Sequence, residues 1–183
     1  WVTGLLNSGA YAVGWFPQEA QQEVFANGPH TRVSIMLAPS SMAAAVAGGY
    51  RLSGEWRYNS GSWHAAWAIL GAPLHDDAGR FEDNAIVLVP RQDLEYKDTW
   101  HVAGLKSTAS NTYIAHDIFV PEHRVLRVTP ALQGAYPGVD KHSADVQRAA
   151  FIPELEAQLL GAHLGMGDTV FGLVREAAPT KSI

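Results

Sequence analysis

The chain has 183 residues, of which 47% are hydrophobic, so it can bury the core of a single domain. Its formal net charge is −5 and its 13 lysines and arginines are scattered, which argues against a nucleic-acid surface or an anionic-membrane patch. The absence of cysteine excludes disulfides, thiolate catalysis and cysteine-ligated metals, and no apolar run reaches the roughly 18 residues of a membrane span. We therefore expect a soluble, cytoplasmic protein.

The first 30 residues predict the end of a helical domain. The stretch from Pro17 to Phe25 is rich in helix-forming residues and has proline in its first turn. Asn27, Gly28 and Pro29 then end the helix. Because so short a helical zone cannot fold alone and the chain opens without an initiator methionine, we expect it to continue a longer protein.

Residues 31–128 predict a domain made of strands. Its short apolar or alternating runs are separated by turns rich in glycine, serine and aspartate. Because no helical pattern lies between them, a parallel βαβ arrangement is disfavoured and an antiparallel barrel or sandwich is expected. The predicted strands are Val33–Leu37, Tyr50–Tyr58, Ala66–Leu74, Ala85–Val89, Glu95–Val102 and Asn111–Val120.

Residues 129–183 predict a loose connection followed by one long helix. Prolines and glycines are frequent up to Asp140, and helical periodicity begins near Ala144. Pro153 marks a point where the helix begins or kinks. Glycines at 161, 165 and 167 suggest close contact with other helices, so we expect the first helix of a bundle. Its expected apolar face consists of Ile152, Leu155, Leu159, Met166, Val170 and Val174.

The motifs of several common chemistries are absent from the sequence. It contains neither G-x-G-x-x-G nor G-x-x-x-x-G-K-[ST] for phosphate binding, and no G-x-S-x-G for a serine hydrolase. His101, His116 and His123 lie near Asp117 and Glu122, but their spacing matches no metal motif. His116 and Asp117 would also point to opposite faces of a strand. We therefore predict no metal site.

Aromatic and hydroxyl residues are concentrated between Gly49 and His64. On a strand, Trp56, Tyr58 and Ser60 would share one face, with two aromatic rings leading to a hydroxyl at the strand's tip. One interpretation is an ordinary aromatic core strand that ends in a Ser-Gly turn. The other is a platform for a flat heteroaromatic ring, walled by aromatic side chains and bonded at its edge by Ser60 and backbone N–H groups.

This segment resembles the middle domain of the acyl-CoA dehydrogenase superfamily. The similar residues are Gly49-Tyr-x-Leu-Ser-Gly-x-Trp-x-Tyr-x-Ser-Gly61, followed by Trp67-Ala-Ile-Leu-Gly-Ala72. A second similar stretch runs over 98–111 and leads to Val120-Pro-Glu-His123. Both are most similar to the flavin monooxygenase branch, the two-component 4-hydroxyphenylacetate and hydroxy-secosteroid hydroxylase type. The similarity covers about residues 15–178.

The resemblance implies an α+β fold in a homotetramer. Residues 1–30 would end an N-terminal helical domain, and residues 31–128 would form an antiparallel middle β-barrel that binds flavin. Residues 129–183 would be a linker and the first helix of a C-terminal bundle.

The resemblance also implies the site. Ser60 would be the catalytic hydroxyl against the flavin N5 edge. Ala38-Pro39-Ser40 lies where the family carries a flavin loop, and Ser40-Ser41 and Ala109 stand where the family commonly has glycine, which leaves local loop geometry open. The expected flavin-binding residues are Met36, Leu37, Ser40, Ser41, Tyr58, Ser60 and Gly61.

The monooxygenase branch implies a particular reaction. Its oxygenase component receives reduced FMN or FAD from a separate flavin reductase and hydroxylates an aromatic or other electron-rich small molecule through a flavin C4a-hydroperoxide. Acyl-CoA dehydrogenases instead resemble one another in an Arg-x-x-Phe-Gly stretch, where this chain reads Arg175-Glu-Ala-Ala-Pro-Thr180. That difference favours the hydroxylase, while an acyl-CoA dehydrogenase and a non-enzymatic barrel or interaction module stay open as alternatives.

Overall fold

The computed structural model of the chain describes residues 2–38, 41–140 and 143–178. In these ranges, helices lie towards the two ends of the chain and strands lie in the middle. The helices are α1 Val2–Val13, α2 Gln18–Val24, α3 Val128–Leu132 and α4 Phe151–Ala177. The strands are β1 Val33–Met36, β2 Ser41–Val46, β3 Gly49–Asn59, β4 Trp67–His75, β5 Phe81–Pro90, β6 Glu95–Lys97, β7 Asn111–Pro121 and β8 Val125–Arg127.

The eight strands of the described chain form one mixed sheet in the order β6-β7-β3-β2-β4-β5-β8, with β1 also beside β4. The end strands β6 and β8 do not pair with each other, so the sheet is not closed. The α+β class is confirmed, whereas the predicted antiparallel barrel is not confirmed, because the sheet is open and contains two parallel pairings. β1 and β2 both pair with β4 in parallel. The β2–β3 hairpin is the crossover between β1 and β4, and β3 alone is the connection between β2 and β4.

β1 and β2 follow one another along the same edge of β4. Val33–Met36 pair with Trp67–Leu70, and Ala43 and Ala44 pair with Leu74 and His75. Gly71 lies between these two pairings, opposite the connection that leaves β1. A Cβ atom at Gly71 would lie 2.1 Å from the carbonyl oxygen of Leu37, so only glycine fits where this connection crosses.

Most of the predicted strands are confirmed, with two omissions. The predicted run from Glu95 contracts to β6, and β2 and β8 were not predicted. β2 reads Ser-Met-Ala-Ala-Ala-Val, which has weak strand propensity, and it is a strand because all six residues pair with β3. The helix predicted from Pro17 to Phe25 is confirmed as α2, with Pro17 at its N-cap position. The sequence pattern did not predict α1 as a separate helix.

Two hydrophobic cores lie on opposite faces of the sheet. The first contains Leu52, Trp56, Leu70 and Tyr113. The second contains residues of α1 and α2 together with Ile69, Leu88, Leu126 and Phe151, so all three predicted zones contribute to it. In this second core Trp15 stacks on Tyr136 with ring centroids 5.4 Å apart. The domain boundaries at 30 and 128 stay predictions.

Many of the described apolar side chains of helix α4 project into solvent, although Phe151 at its start is buried. It begins at Phe151, later than the predicted start, and Pro153 lies in its first turn as expected. Met166, Val170 and Val174 of the predicted apolar face are each 59–60% exposed. A Cβ atom at Gly161, Gly165 or Gly167 would meet nothing within 4 Å. Within the described ranges, no helix has both the length and the apolar character required to cross a bilayer.

Candidate flavin site

The end of β3 is irregular where the sequence concentrates its aromatic residues. Trp56 pairs with Tyr113 and Asn59 pairs with Asn111, with a register shift between them. Tyr58 has a φ of 66°, so the strand turns its ring outward. Trp56 is fully buried while Tyr58 is 63% exposed. The prediction that Trp56 and Tyr58 share one face is therefore wrong, because the bulge between them reverses the alternation.

The conformation of Tyr58 is itself informative. A bulky residue in the left-handed region costs on the order of 1–3 kcal/mol, and such residues cluster at functional sites. The ring meets Trp100 edge to face, with centroids 6.0 Å apart and planes at 84°. The two rings form an aromatic corner at the surface.

Trp100 is held in place by a buried amide. The side-chain oxygen of Asn111 accepts hydrogen bonds from the backbone N–H groups of Thr99 and Trp100 at 2.9 and 3.0 Å. Its side-chain nitrogen donates to the hydroxyl of Tyr96. Burial raises the pKa of Tyr96 and of Tyr113 above the ordinary value for a phenol. The indole N–H of Trp100 donates to the carbonyl of Leu105 at 3.0 Å.

Two cavities adjoin the Tyr58 ring. One of about 410 Å³ is lined by Met36, Ala38, Glu55, Arg57 and Tyr58. The other, of about 250 Å³, lies between Tyr58, Trp100 and Ser110. Their combined size is in the range of sites that bind a small ring system. Met36 and Tyr58, both predicted flavin-binding residues, are thus brought together.

Ser60 belongs to a hydroxyl row formed by Ser60, Ser110 and Thr108. The Oγ atoms of Ser60 and Ser110 are 2.9 Å apart, and Ser110 Oγ lies 2.7 Å from Thr108 Oγ1. Thr108 donates to the carbonyl of Leu105 at 2.9 Å. The row connects the strand tip to the loop that carries Trp100.

The remaining predicted site residues lie around this tip. Gly61 has a φ of 79°, and a Cβ atom there would lie 2.8 Å from the side chain of Leu6, so the position favours glycine. The hydroxyl of Ser41 donates to the carbonyl of Gly71 at 3.2 Å, and Leu37 passes over the same glycine. Ser40 lies outside the described residues. The flavin-binding roles of these residues stay predictions.

Sequence reasoning assigned no role to Thr108, Ser110, Asn111 or Trp100. All four lie in the stretch 98–111, which resembles the family. The resemblance therefore indicated the segment but not the role of these side chains. Ala109, in the same stretch, has a φ of 44° and is buried. It adopts the left-handed conformation that glycine would favour, although the chain places alanine there.

A second cluster of charged groups joins α2 to the segment after β7. One ligand atom each from Glu19, Glu23 and His123 lies within 4.8 Å of the others, a convergence that sequence spacing did not reveal. Arg124 also bonds Glu23, so the carboxylate already has a cationic partner. A cavity of about 560 Å³ adjoins this cluster, and the described residues that line it include no Trp, Tyr or Phe. The prediction of no metal site is not tested by this geometry.

Comparison with known proteins finds clear homologues of the chain. No family model matches the chain. The chain is 42% identical over 138 residues to the FADH(2)-dependent resorcinol hydroxylase, oxygenase component, of Rhizobium sp. (strain MTP-10005), covering 75% of this chain and 34% of that protein. The chain is a homologue of flavin-dependent monooxygenase oxygenase components. The predicted resemblance is thereby confirmed.

Two further comparisons with this chain also find flavin-dependent proteins. Over 148 residues it is 38% identical to the flavin-dependent monooxygenase oxygenase subunit HsaA of Rhodococcus jostii (strain RHA1), covering 81% of this chain and 38% of that protein. The structure of XiaF from Streptomyces sp., in complex with FADH2 and glycerol, matches with a TM-score of 0.80 and 34% identity. That match covers 100% of this chain and 46% of the XiaF chain. The chain spans less than half the length of these relatives.

Proposed function

We propose that the chain carries the flavin-binding region of the oxygenase component of a two-component monooxygenase. Its substrate would be an aromatic or other electron-rich small molecule, and a separate flavin reductase would supply reduced FMN or FAD. The observation that carries the proposal is the aromatic corner of Tyr58 and Trp100 beside the Ser60 hydroxyl, in a chain homologous to such oxygenases. FADH2 is named with the resorcinol hydroxylase and with XiaF, which favours FAD.

The residues at the strand tip fit a flavin ring. An isoalloxazine is flat, with apolar faces and a polar edge, and the corner offers aromatic surfaces next to a half-buried hydroxyl. The two cavities that Tyr58 lines provide space for such a ring, and Met36 also lines one of them. Fully buried Trp56 anchors the strand behind the corner through a 2.8 Å bond to Gly71.

Reduced flavin, when bound, supplies the two electrons with which one atom of O2 enters the substrate and the other becomes water. The protein's part is to bind, orient and exclude water. Tyr58 and Trp100 would wall the ring, and Asn111 holds Trp100 where it can do so. Ser60 would bond the N5 edge, with Ser110 behind it.

Several finer features are part of the same proposal. Met36, Leu37, Ser40, Ser41 and Gly61 would complete the flavin site, as the resemblance implies. A homotetramer and a cytoplasmic location are likewise proposed on the resemblance and the composition.

The proposal is tested on the intact protein, meaning this sequence expressed with any residues that flank it in its gene. Chemically reduced FAD or FMN and oxygen are supplied with a phenolic probe such as resorcinol, and the products are analysed by mass spectrometry. We expect a product heavier by one oxygen atom, formed only when reduced flavin is added. Anaerobic bleaching of bound oxidised flavin by an acyl-CoA thioester would favour a dehydrogenase, and failure to bind either redox form would favour a non-enzymatic module.

A further inference from the structure

The direction of the hydroxyl row is fixed at its inner end. A carbonyl oxygen carries no hydrogen, so Thr108 must use its single hydroxyl hydrogen to donate to Leu105. The oxygen of Thr108 can then only accept from Ser110, and the oxygen of Ser110 can only accept from Ser60. The hydroxyl hydrogen of Ser60 is therefore committed to Ser110. Towards the site, Ser60 offers only lone pairs.

Reversing the row would be costly. It would leave the oxygens of Thr108 and Leu105 at 2.9 Å without a hydrogen between them. Thr108 and Ser110 are buried, with 3% and 4% of their surface exposed. The Leu105 carbonyl would still accept from the backbone N–H of Thr108 and from the indole N–H of Trp100, each at 3.0 Å. The cost of reversal is therefore the repulsion between the lone pairs of two oxygens in contact, and this repulsion favours the outward-accepting direction.

The backbone around the row is held from both sides. Gly61 N–H donates to the carbonyl of Thr108 at 2.7 Å, and the hydroxyl of Ser62 donates to the carbonyl of Ala109 at 2.6 Å. Asn111 N–H donates to the same carbonyl of Ala109 at 2.8 Å. These bonds keep Ser110 and Thr108 aligned with the strand tip.

We propose that Thr108 and Ser110 are positioning residues that hold Ser60 as a hydrogen-bond acceptor and thereby make the site discriminate between the redox forms of flavin. This inference rests on the proposed function. N5 of reduced flavin carries a hydrogen and donates, whereas N5 of oxidised flavin can only accept. An acceptor-only Ser60 bonds the reduced form and leaves N5 of the oxidised form facing another lone pair.

The test compares the affinities of oxidised and of dithionite-reduced FAD for the intact protein, measured by anaerobic fluorescence titration. Thr108→Val keeps the shape but removes the hydroxyl, which frees Ser60 to rotate and donate. We expect the affinity for oxidised FAD to rise about three- to tenfold, while the affinity for reduced FAD changes less than about twofold. Ser110→Ala should have the same effect and serves if Thr108→Val does not fold.

Two controls separate positioning from damage to the loop. Thr108→Ser restores the hydroxyl and should restore the wild-type affinity ratio. Ser8→Ala removes a buried hydroxyl that donates to the carbonyl of Gly4 at 2.8 Å within helix α1, outside the row and the two cavities, and should leave the ratio unchanged. A parallel loss of both affinities, or an unchanged ratio in Thr108→Val and Ser110→Ala, would overturn the positioning role alone. A wild-type protein that binds neither form would overturn the proposed function and this inference together.

Discussion

The carboxylate of Glu23 fastens helix α2 to the segment that follows β7. It accepts from Arg124 and lies 3.1 Å from His123 Nε2. Burial by itself would raise its pKa, but the hydrogen bonds and charges of Arg124 and His123 outweigh burial. The pKa of Glu23 therefore lies below its ordinary value of 4.5. A depressed carboxylate pKa stabilises the fold above the unfolded value and loses that effect as the pH falls through the folded value.

Replacing this carboxylate should make the free energy of unfolding depend less on pH in the acid range. In Glu23→Gln we expect the urea midpoint at neutral pH to fall by the equivalent of about 1 kcal/mol, because the junction is partly solvated. Between about pH 5 and pH 3 the wild type should lose stability more steeply than the variant. Glu19→Gln is the matched control, since Glu19 is 70% exposed and 3.7 Å from His123. Parallel pH profiles of wild type and Glu23→Gln would contradict the assignment.

Ser60 is the residue on which productive use of oxygen is expected to depend. In the intact protein, Ser60→Ala should keep the fold, since the side chain is only half-buried at a strand tip. We expect more hydrogen peroxide and less hydroxylated product per oxygen consumed, because the flavin edge is left without its hydrogen-bond partner, at a cost of about 1–3 kcal/mol. An oxygen electrode combined with product quantification measures the ratio. Ser53→Ala, which removes an exposed hydroxyl from the same strand, is the control and should not change it.

At the scale of the elements, Gly71 determines whether β1 and β2 can share one edge of β4. Its carbonyl accepts from the indole N–H of Trp56 and from Ser41, and Leu37 crosses directly over its α-carbon. A methyl group there would collide with backbone rather than with a flexible side chain. Backbone collisions cannot be relieved by a change of rotamer.

Gly71→Ala should therefore destabilise the protein by at least about 3 kcal/mol, or prevent folding. The measurement is the urea midpoint followed by circular dichroism. Gly104→Ala is the control, since a Cβ atom there meets nothing within 4 Å, and it should change the free energy of unfolding by less than about 0.5 kcal/mol. Near-native stability of Gly71→Ala would show that the connection after Leu37 can move aside.

The strands that the sequence predicts best are those whose own residues determine their state. β4 reads as a continuous apolar run and is buried on both faces, so pattern and structure agree. β2 is a strand because it pairs with β3, and β1 lies parallel to β4 because the β2–β3 hairpin connects the two. Neither feature could be predicted from the local sequence pattern.

The candidate site divides in the same way. The resemblance located Ser60 and Tyr58, but the outward turn of Tyr58 comes from a positive φ that an aromatic residue seldom adopts. The meeting with Trp100 then follows from contacts of Asn111 that no spacing rule anticipates.

At the scale of the whole molecule, helix α4 leaves much apolar surface uncovered. Leu160, Leu164 and Phe171 are 56%, 68% and 66% exposed. Expressed alone, residues 1–183 should self-associate and bind a hydrophobic dye. A chain ending at Phe151 keeps the Phe151 ring, whose centroid lies 5.1 Å from that of Trp15, but lacks the exposed part of α4. It should therefore bind less dye and scatter less light. A monodisperse monomer of residues 1–183 would contradict this expectation.

Strand β4 is paired along both edges and covered on both faces, with Ile69 in one core and Leu70 in the other. Its amide hydrogens should therefore exchange with deuterium only when the entire molecule opens, more slowly than those of α4. The exchange rate of the β4 amides therefore reports the free energy of global unfolding. A flavin that binds the native state should slow deuterium uptake at Ala68–Leu70 by mass action, even though these residues lie in the cores.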